Sequence, residues 1–426
     1  MKNKRTIACM LSFAVLASMG LSGCRKKEEN NDTNTGNPPS SGKANVIVWT
    51  PEEVASVTRE KLNSWLSSQE QYRDKYTISV SAMGEGEAAT QMLTDVEAGA
   101  DVYSFAQDQL ARLVAAGALS SPGGKFEENI RNNNDSGSVS AATLDDKIYA
   151  YPETSDNGYF LYYDKSVVTD PSTLEGILEQ CGEKGKKLYM DIQSGWYSAS
   201  FFFGTGADCY YEYDKDGNVT GAVCDYGSEE GLAAFKGLVA MASHPAFSQS
   251  TGSDAALFNP DGGTAGAVIS GTWDSAVISE YLGENYGAAK LPTFSVDGTE
   301  YQLGGFGGFK LVGVKPQTDS DKLTFCHLVA DYLTGEEMQA VRFESNGWGP
   351  SNVNVQESEA VQSDIALSAL SEQLQYCVAQ GQYPNAFWTL TEAFGTDINS
   401  GKYENASDEE LMKALDELEA EIKKAK

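Results

Sequence analysis

Short runs of alternating or continuous apolar residues recur along this chain, separated by longer stretches whose apolar positions fall three and four apart. The first pattern reads as strands and the second as helices. Residues 45–50, 76–83 and 100–105 are strand-like, and helices are expected over 52–72, 90–99 and 108–116. In the first of these helices Val54, Leu62, Trp65 and Leu66 share a face. A strand is next expected over 187–192 and an amphipathic helix over 229–243. Residues 265–269 form a buried strand that ends in the small-residue turn Ser270, Gly271, Thr272 and delivers Trp273. Asp274 or Ser275 is placed to cap a helix running to about 282, and a strand over 287–291 stops at Pro292. Helices follow over 324–334 and 336–344, and from Asp364 onward the pattern is helical throughout. The last helix starts near Ser407, with Leu411, Leu415, Leu418 and Ile422 as its apolar stripe.

Strands that alternate with helices imply βαβ units and a parallel, doubly wound α/β sheet. Two extended stretches, 148–164 and the glycine-rich 301–314, suit crossings from one lobe to another. A chain of 426 residues is too long for one simple core, so two lobes are expected.

The N-terminus changes this picture. Lys2, Lys4 and Arg5 precede an apolar stretch over 7–21 that is too short for a comfortable membrane span, so residues 1–23 read as a signal peptide. Leu21, Ser22, Gly23 and Cys24 resemble a bacterial lipobox, which makes Cys24 the expected lipidation site. Residues 24–43 are nearly devoid of apolar side chains and read as a flexible tether. Loss of the signal removes three of 31 basic residues and none of 61 acidic ones, leaving a formal charge of about −33. That balance excludes nucleic acid as a partner, because nothing neutralises a run of phosphates.

The seven cysteines lack CxxC spacing and read as neither a disulfide scaffold nor a zinc site. Cys209 and Cys224 flank a hairpin with an expected turn at Asp216-Gly217, and a cross-strand disulfide there is a hypothesis. Gly84, Gly86 and Ala89 fit a dinucleotide fingerprint formally, but Glu85 and Glu87 would repel a pyrophosphate. The stretch 214–218 resembles a calcium loop with its glycine misplaced, and a turn reads better. Tyr210 and Tyr211 lack the His and Asp partners of a phenolate iron site, so hairpin packing fits them better. His244 and His327 are the only histidines, and no G-x-S-x-G motif occurs, so a Ser-His-Asp hydrolase has little to build on. No cofactor or metal is expected. A carboxylate pair for glycoside hydrolysis stays open among so many acids.

The recurrent signal is aromatic. Phe105, the Trp196-Tyr197 pair, Trp273, Trp348 and Phe387-Trp388 stand at strand ends, in loops or at a helix start, interleaved with Glu52, Glu53, Asp108 and Asp156. Ligands of open α/β sheets bind beyond the carboxyl ends of the strands. Sugars suit a surface where C–H faces meet rings and hydroxyls meet carboxylates and amides.

On these residues the chain resembles the extracytoplasmic solute-binding lipoproteins of ABC importers, of the maltose/maltodextrin type. Residues 100–108, Ala-Asp-Val-Tyr-Ser-Phe-Ala-Gln-Asp, resemble a family strand end, so Phe105 takes the stacking position and Asp108 the hydroxyl-binding one. Tyr149, Ala150, Tyr151 and Pro152 followed by Asp156 resemble the first crossing, where an acid binds sugar. Gly195, Trp196 and Tyr197 resemble an aromatic loop. Residues 269–273 with Asn285 to Phe294 are a close match, and Phe387-Trp388 resemble a late helical aromatic. Two departures put the identity of the sugar in doubt: Gln109 replaces a basic residue, and Thr50, Pro51, Glu52 and Glu53 replace an Asn-Gly-Asp-Lys loop. The resemblance implies a two-lobed periplasmic-binding-protein-like fold, with lobe 1 over 44–154 and 309–349 and lobe 2 over 155–303 and 350–426. Hinge crossings are expected near 154, 304 and 349. It further implies a monomeric, non-enzymatic, lipid-anchored subunit at the outer face of the cell membrane. That subunit hands an oligosaccharide to permease transmembrane subunits. The ligand sites expected are Glu52, Glu53, Phe105, Asp108, Asp156, Trp196, Tyr197, Trp273 and Trp388. The competing classes are a secreted glycosidase or lyase, a binder of another oligosaccharide, and a binder of peptides, polyamines or metal.

Overall fold

Two strands run against their sheets, Phe160–Asp164 and Lys310–Val314, and each follows a passage of the chain between the sheets. The computed structural model describes residues 42–213, 219–250, 254–381 and 383–425. The expected signal, Cys24, nearly all of the tether, and the turn at Asp216-Gly217 lie outside the described residues.

The first sheet has the order Tyr76–Ala82, Ala44–Thr50, Val102–Ala106, Lys310–Val314, Tyr151–Thr154. Its first three strands pair in parallel, and Lys310–Val314 is antiparallel to both neighbours. The second sheet repeats the scheme: Phe247–Gln249, Lys187–Met190, Ala265–Ser270, Phe160–Asp164, Tyr286–Ala289. Here Phe160–Asp164 is the reversed strand. The chain leaves the first sheet at Thr154 and enters the second at Phe160, then returns at Lys310. Each lobe therefore receives its reversed strand directly from the other.

Both faces of the central strands are covered, as parallel sheets require. In the second sheet Leu161, Ala267 and Ile269 join a core with Phe201, Phe235 and Leu415, while Phe160, Tyr162 and Val268 pack with Ile278 and Leu370. The alternation is the period of two of a strand. The first sheet has its own core, including Val46, Val102, Phe105, Leu311 and Phe325.

Several expected elements shift. The first helix is Glu52–Ser68, its first turn carrying Glu52 and Glu53 where the exposed N–H groups favour negative charge. The second helix is Glu85–Thr94 rather than 90–99, because Gly84 sits at its N-cap and Glu85 and Glu87 occupy its first turn. A Cβ at Gly99 would lie 2.1 Å from Met92 Sδ, so that glycine serves a close approach rather than a helix stop. The helix after Trp273 is Ser275–Leu282, but Asp274 does not cap it; its carboxylate accepts a 2.6 Å hydrogen bond from Ser270 Oγ. The C-terminal region is not wholly helical, since Cys377–Ala379 is a strand parallel to Gly305–Gly307. The final helix, Asp408–Ile422, starts from Ser407 with a full capping box to Glu410 and buries all four residues of its stripe. Cys209 and Cys224 stand directly opposite in their hairpin, yet both are free thiols rather than the bridge the spacing suggests.

Candidate functional site

The parallel strand Val102–Ala106 of the first sheet and Ala265–Ser270 of the second end on opposite sides of a cleft of about 880 Å³. A 3-10 turn, Thr272–Asp274, sets Trp273 at this cleft. Gly271 makes that placement, since a Cβ there would lie 2.1 Å from Trp273 Cη2. Trp196 comes from the first turn of Gly195–Thr205, whose N-cap Ser194 accepts from the Trp196 N–H. The Trp196 and Trp273 rings are 6.0 Å apart, and Trp388, on Asn385–Asn399, adds a third indole to the lining.

The polar part of the lining faces these rings. Asp108 is 4 % exposed, accepts from Gln109 Nε2 on Oδ2, and has no hydrogen-bond partner on Oδ1. Burial pushes its carboxyl up to about 7, against the opposing pull of Gln109 and Arg112. Glu53 stands at the cleft, exposed on its outer side, and partial burial raises its carboxyl while Lys310 opposes the shift. Lys310 is a charged residue the sequence reading passed over. It is 5 % exposed, pairs with Glu85 at 3.0 Å, and lies 5.3 Å and 4.4 Å from the Trp273 and Trp348 rings. Burial works against its charge, but Glu85, Asp156 and Glu53 together outweigh that and keep it an ammonium. Its one sequence signal was a lone lysine within a glycine-rich apolar run. Asp191, Gln249, Asn157 and Gln380 also line the cleft, and nothing in the sequence pattern marked them.

Of the nine expected ligand residues, the structure brings Glu53, Asp108, Trp196, Trp273 and Trp388 together around the cleft. Phe105 is not there: it is fully buried in the core of the first sheet, 5.7 Å from the Tyr103 ring. The strand alternation turns its side chain inward two residues before the chain reaches the edge. Glu52 points to solvent from the first helical turn and lies outside the cleft lining. Tyr197 packs against Tyr159 and Trp196, with centroids 4.8 and 5.0 Å away, behind the lining. Asp156 is 2 % exposed and ties three segments together, accepting from Thr272 Oγ1 at 2.6 Å and from the Gly349 N–H at 2.5 Å. Trp348 is likewise buried. His327 sits in the core of the first lobe between Tyr151 and Ser120, where burial lowers it to about 4. Among the described residues no group of three or more His, Cys, Asp or Glu is arranged to hold a metal.

Residues 68–369 match the bacterial extracellular solute-binding protein family. The chain belongs to that family. No curated protein sequence matches this solute-binding protein. Solved structures do. One determined with acarbose is 25 % identical, with a TM-score of 0.76 over 90 % of this chain and 99 % of that one. A maltodextrin-binding protein from L. casei BL23, solved without ligand, is 22 % identical with a TM-score of 0.71, covering 90 % and all of the respective chains. The GacH receptor of Streptomyces glaucescens GLA.O, studied unliganded and with acarbose, is 16 % identical with a TM-score of 0.72 over 90 % and 99 %. The last two likenesses carry the fold of this solute-binding protein, two α/β lobes with a cleft at their strand ends.

Proposed function

We propose that this solute-binding protein captures an oligosaccharide, of maltodextrin or related type, in the cleft and delivers it to an ABC permease. The observation that carries the reading is one lining with three indoles, Trp196, Trp273 and Trp388, set against Glu53, Asp108, Asp191 and the amides of Gln249 and Gln380. Rings stack on the C–H faces of sugars, and carboxylates and amides take up the hydroxyls. The ligands printed for the structural relatives, acarbose and maltodextrin, are of the same chemical class.

The lobes of the reading are 44–154 with 309–349 and 155–303 with 350–426, hinged near 154, 304 and 349. Binding closes the one on the other. The protein acts without catalysis. No helix among the described residues is long and apolar enough to cross a membrane, and a lipid on Cys24 is the proposed anchor at the outer face of the cell. Calorimetric titration against α- and β-linked oligosaccharides, with product analysis after incubation, tests the reading. Saturable binding without products supports it. Turnover would make the protein a glycosidase, and failure of every oligosaccharide to bind would remove the sugar reading.

A further inference from the structure

Gln380 follows the short strand Cys377–Ala379, and its backbone is held at both ends. Its N–H donates to Gly307 O at 3.0 Å, and its carbonyl accepts from Gln107 Nε2 at 3.0 Å. The side chain lines the cleft and is largely buried. Its Oε1 accepts from Trp196 Nε1 at 3.1 Å and from Asn157 Nδ2 at 3.2 Å. An indole N–H only donates, so the atom facing Trp196 must be the amide oxygen, and the orientation of the amide is fixed. The NH₂ end then lies on the side of Asp108, whose charged form the Gln380 side chain favours. Asp108 itself directly follows Gln107, the residue that grips the Gln380 backbone. One amide thus touches an indole carried by the second lobe and a carboxylate carried by the first.

We propose that Gln380 is a positioning residue that couples Trp196 to Asp108 across the cleft. It holds the indole in the stacking plane and leaves Asp108 Oδ1, the unpartnered acceptor, for a ligand hydroxyl. Ring stacking and hydroxyl recognition then operate as one unit. The part of this that concerns ligand rests on the oligosaccharide reading; the coupling between the two residues does not.

Two measurements test it separately. In the solute-free protein, indole emission is followed as Asp108 titrates, with Gln109, Arg112, Gln380 and Tyr213 as the groups acting on or sensing that carboxylate. We expect a step near neutral pH that is lost in both W196F and D108N. In Q380A the step moves to higher pH, because a donor to the carboxylate has gone. A step unmoved in Q380A overturns the coupling. The second measurement is the affinity for maltotetraose. Q380A is expected to bind about tenfold more weakly, the scale of one lost hydrogen bond to a charged group, and Q380A/D108N no more than about twofold more weakly than D108N. Affinity losses that multiply in the double variant, or a Q380A variant within about twofold of the unaltered protein, overturn the proposal. If the unaltered protein binds no sugar while the emission step behaves as expected, the oligosaccharide reading fails and the coupling stands.

Discussion

Trp273 and Asp108 are the residues on which the site turns, and they respond to different physics. The indole is held by its turn and by Gly271, whose missing side chain it covers. Truncation to Ala removes ring contact worth about 1 kcal/mol or more beyond its area. Trp273→Ala should therefore weaken sugar binding at least fivefold with an unchanged melting temperature, as calorimetry and thermal unfolding would show. Loss of folding instead would return the residue to the core. For Asp108 the prediction concerns pH. Its folded pKa, about 7, is raised above the ordinary carboxylate value of 3.8. Such a group contributes stability at low pH that is lost as the pH rises through 7. Asp108→Asn lacks this penalty, so its melting temperature relative to the unaltered protein should climb from pH 5 to pH 8, by the equivalent of a few kcal/mol at most. A difference independent of pH would contradict the buried, protonatable carboxyl.

At the scale of elements, legibility depended on how much of the signal was local. The last helix was plain because its cap, its acidic first turn and its apolar stripe lie within sixteen residues. Ser407→Ala should cost about 1 kcal/mol and lower the melting temperature by ~1–2 °C, measured by calorimetric unfolding. No change would mean that tertiary contacts alone hold the helix end. The strand Cys377–Ala379 was invisible because its ladder partner, Gly305–Gly307, lies some seventy residues earlier. A three-residue segment between helices has no period of its own. The second helix was misplaced by five residues because two glycines looked like loop, whereas the macrodipole rewards the two glutamates beside them.

For the whole molecule, the decisive feature is how the passages between lobes are tied. Asp156 on the first passage accepts from Thr272, beside Trp273, and from Gly349 on another passage. Asp156→Ala strands a buried hydroxyl and a buried N–H, at about 1–3 kcal/mol for each unsatisfied group. The expected result is a lower melting temperature together with weaker sugar binding, because the tie sits behind the Trp273 turn. Unchanged stability would show that the passages do not depend on this carboxylate. The resemblance had given Asp156 to the ligand, but the structure turns it toward the backbone between the lobes.

The sequence by itself determined what local pattern can carry: alternating strands and helices, the capped C-terminal helix, the acidic balance and the aromatics near strand ends. It also marked five residues that line the cleft. Only the tertiary structure decided which aromatics face the cleft, because a one-residue step along a strand reverses the side chain and sends Phe105 to the core. Only it brought Lys310 to Glu85 and Gln380 between Trp196 and Asp108. Those contacts join residues that are hundreds of positions apart, and a buried charge or amide is placed by the partners that compensate it rather than by its sequence neighbours.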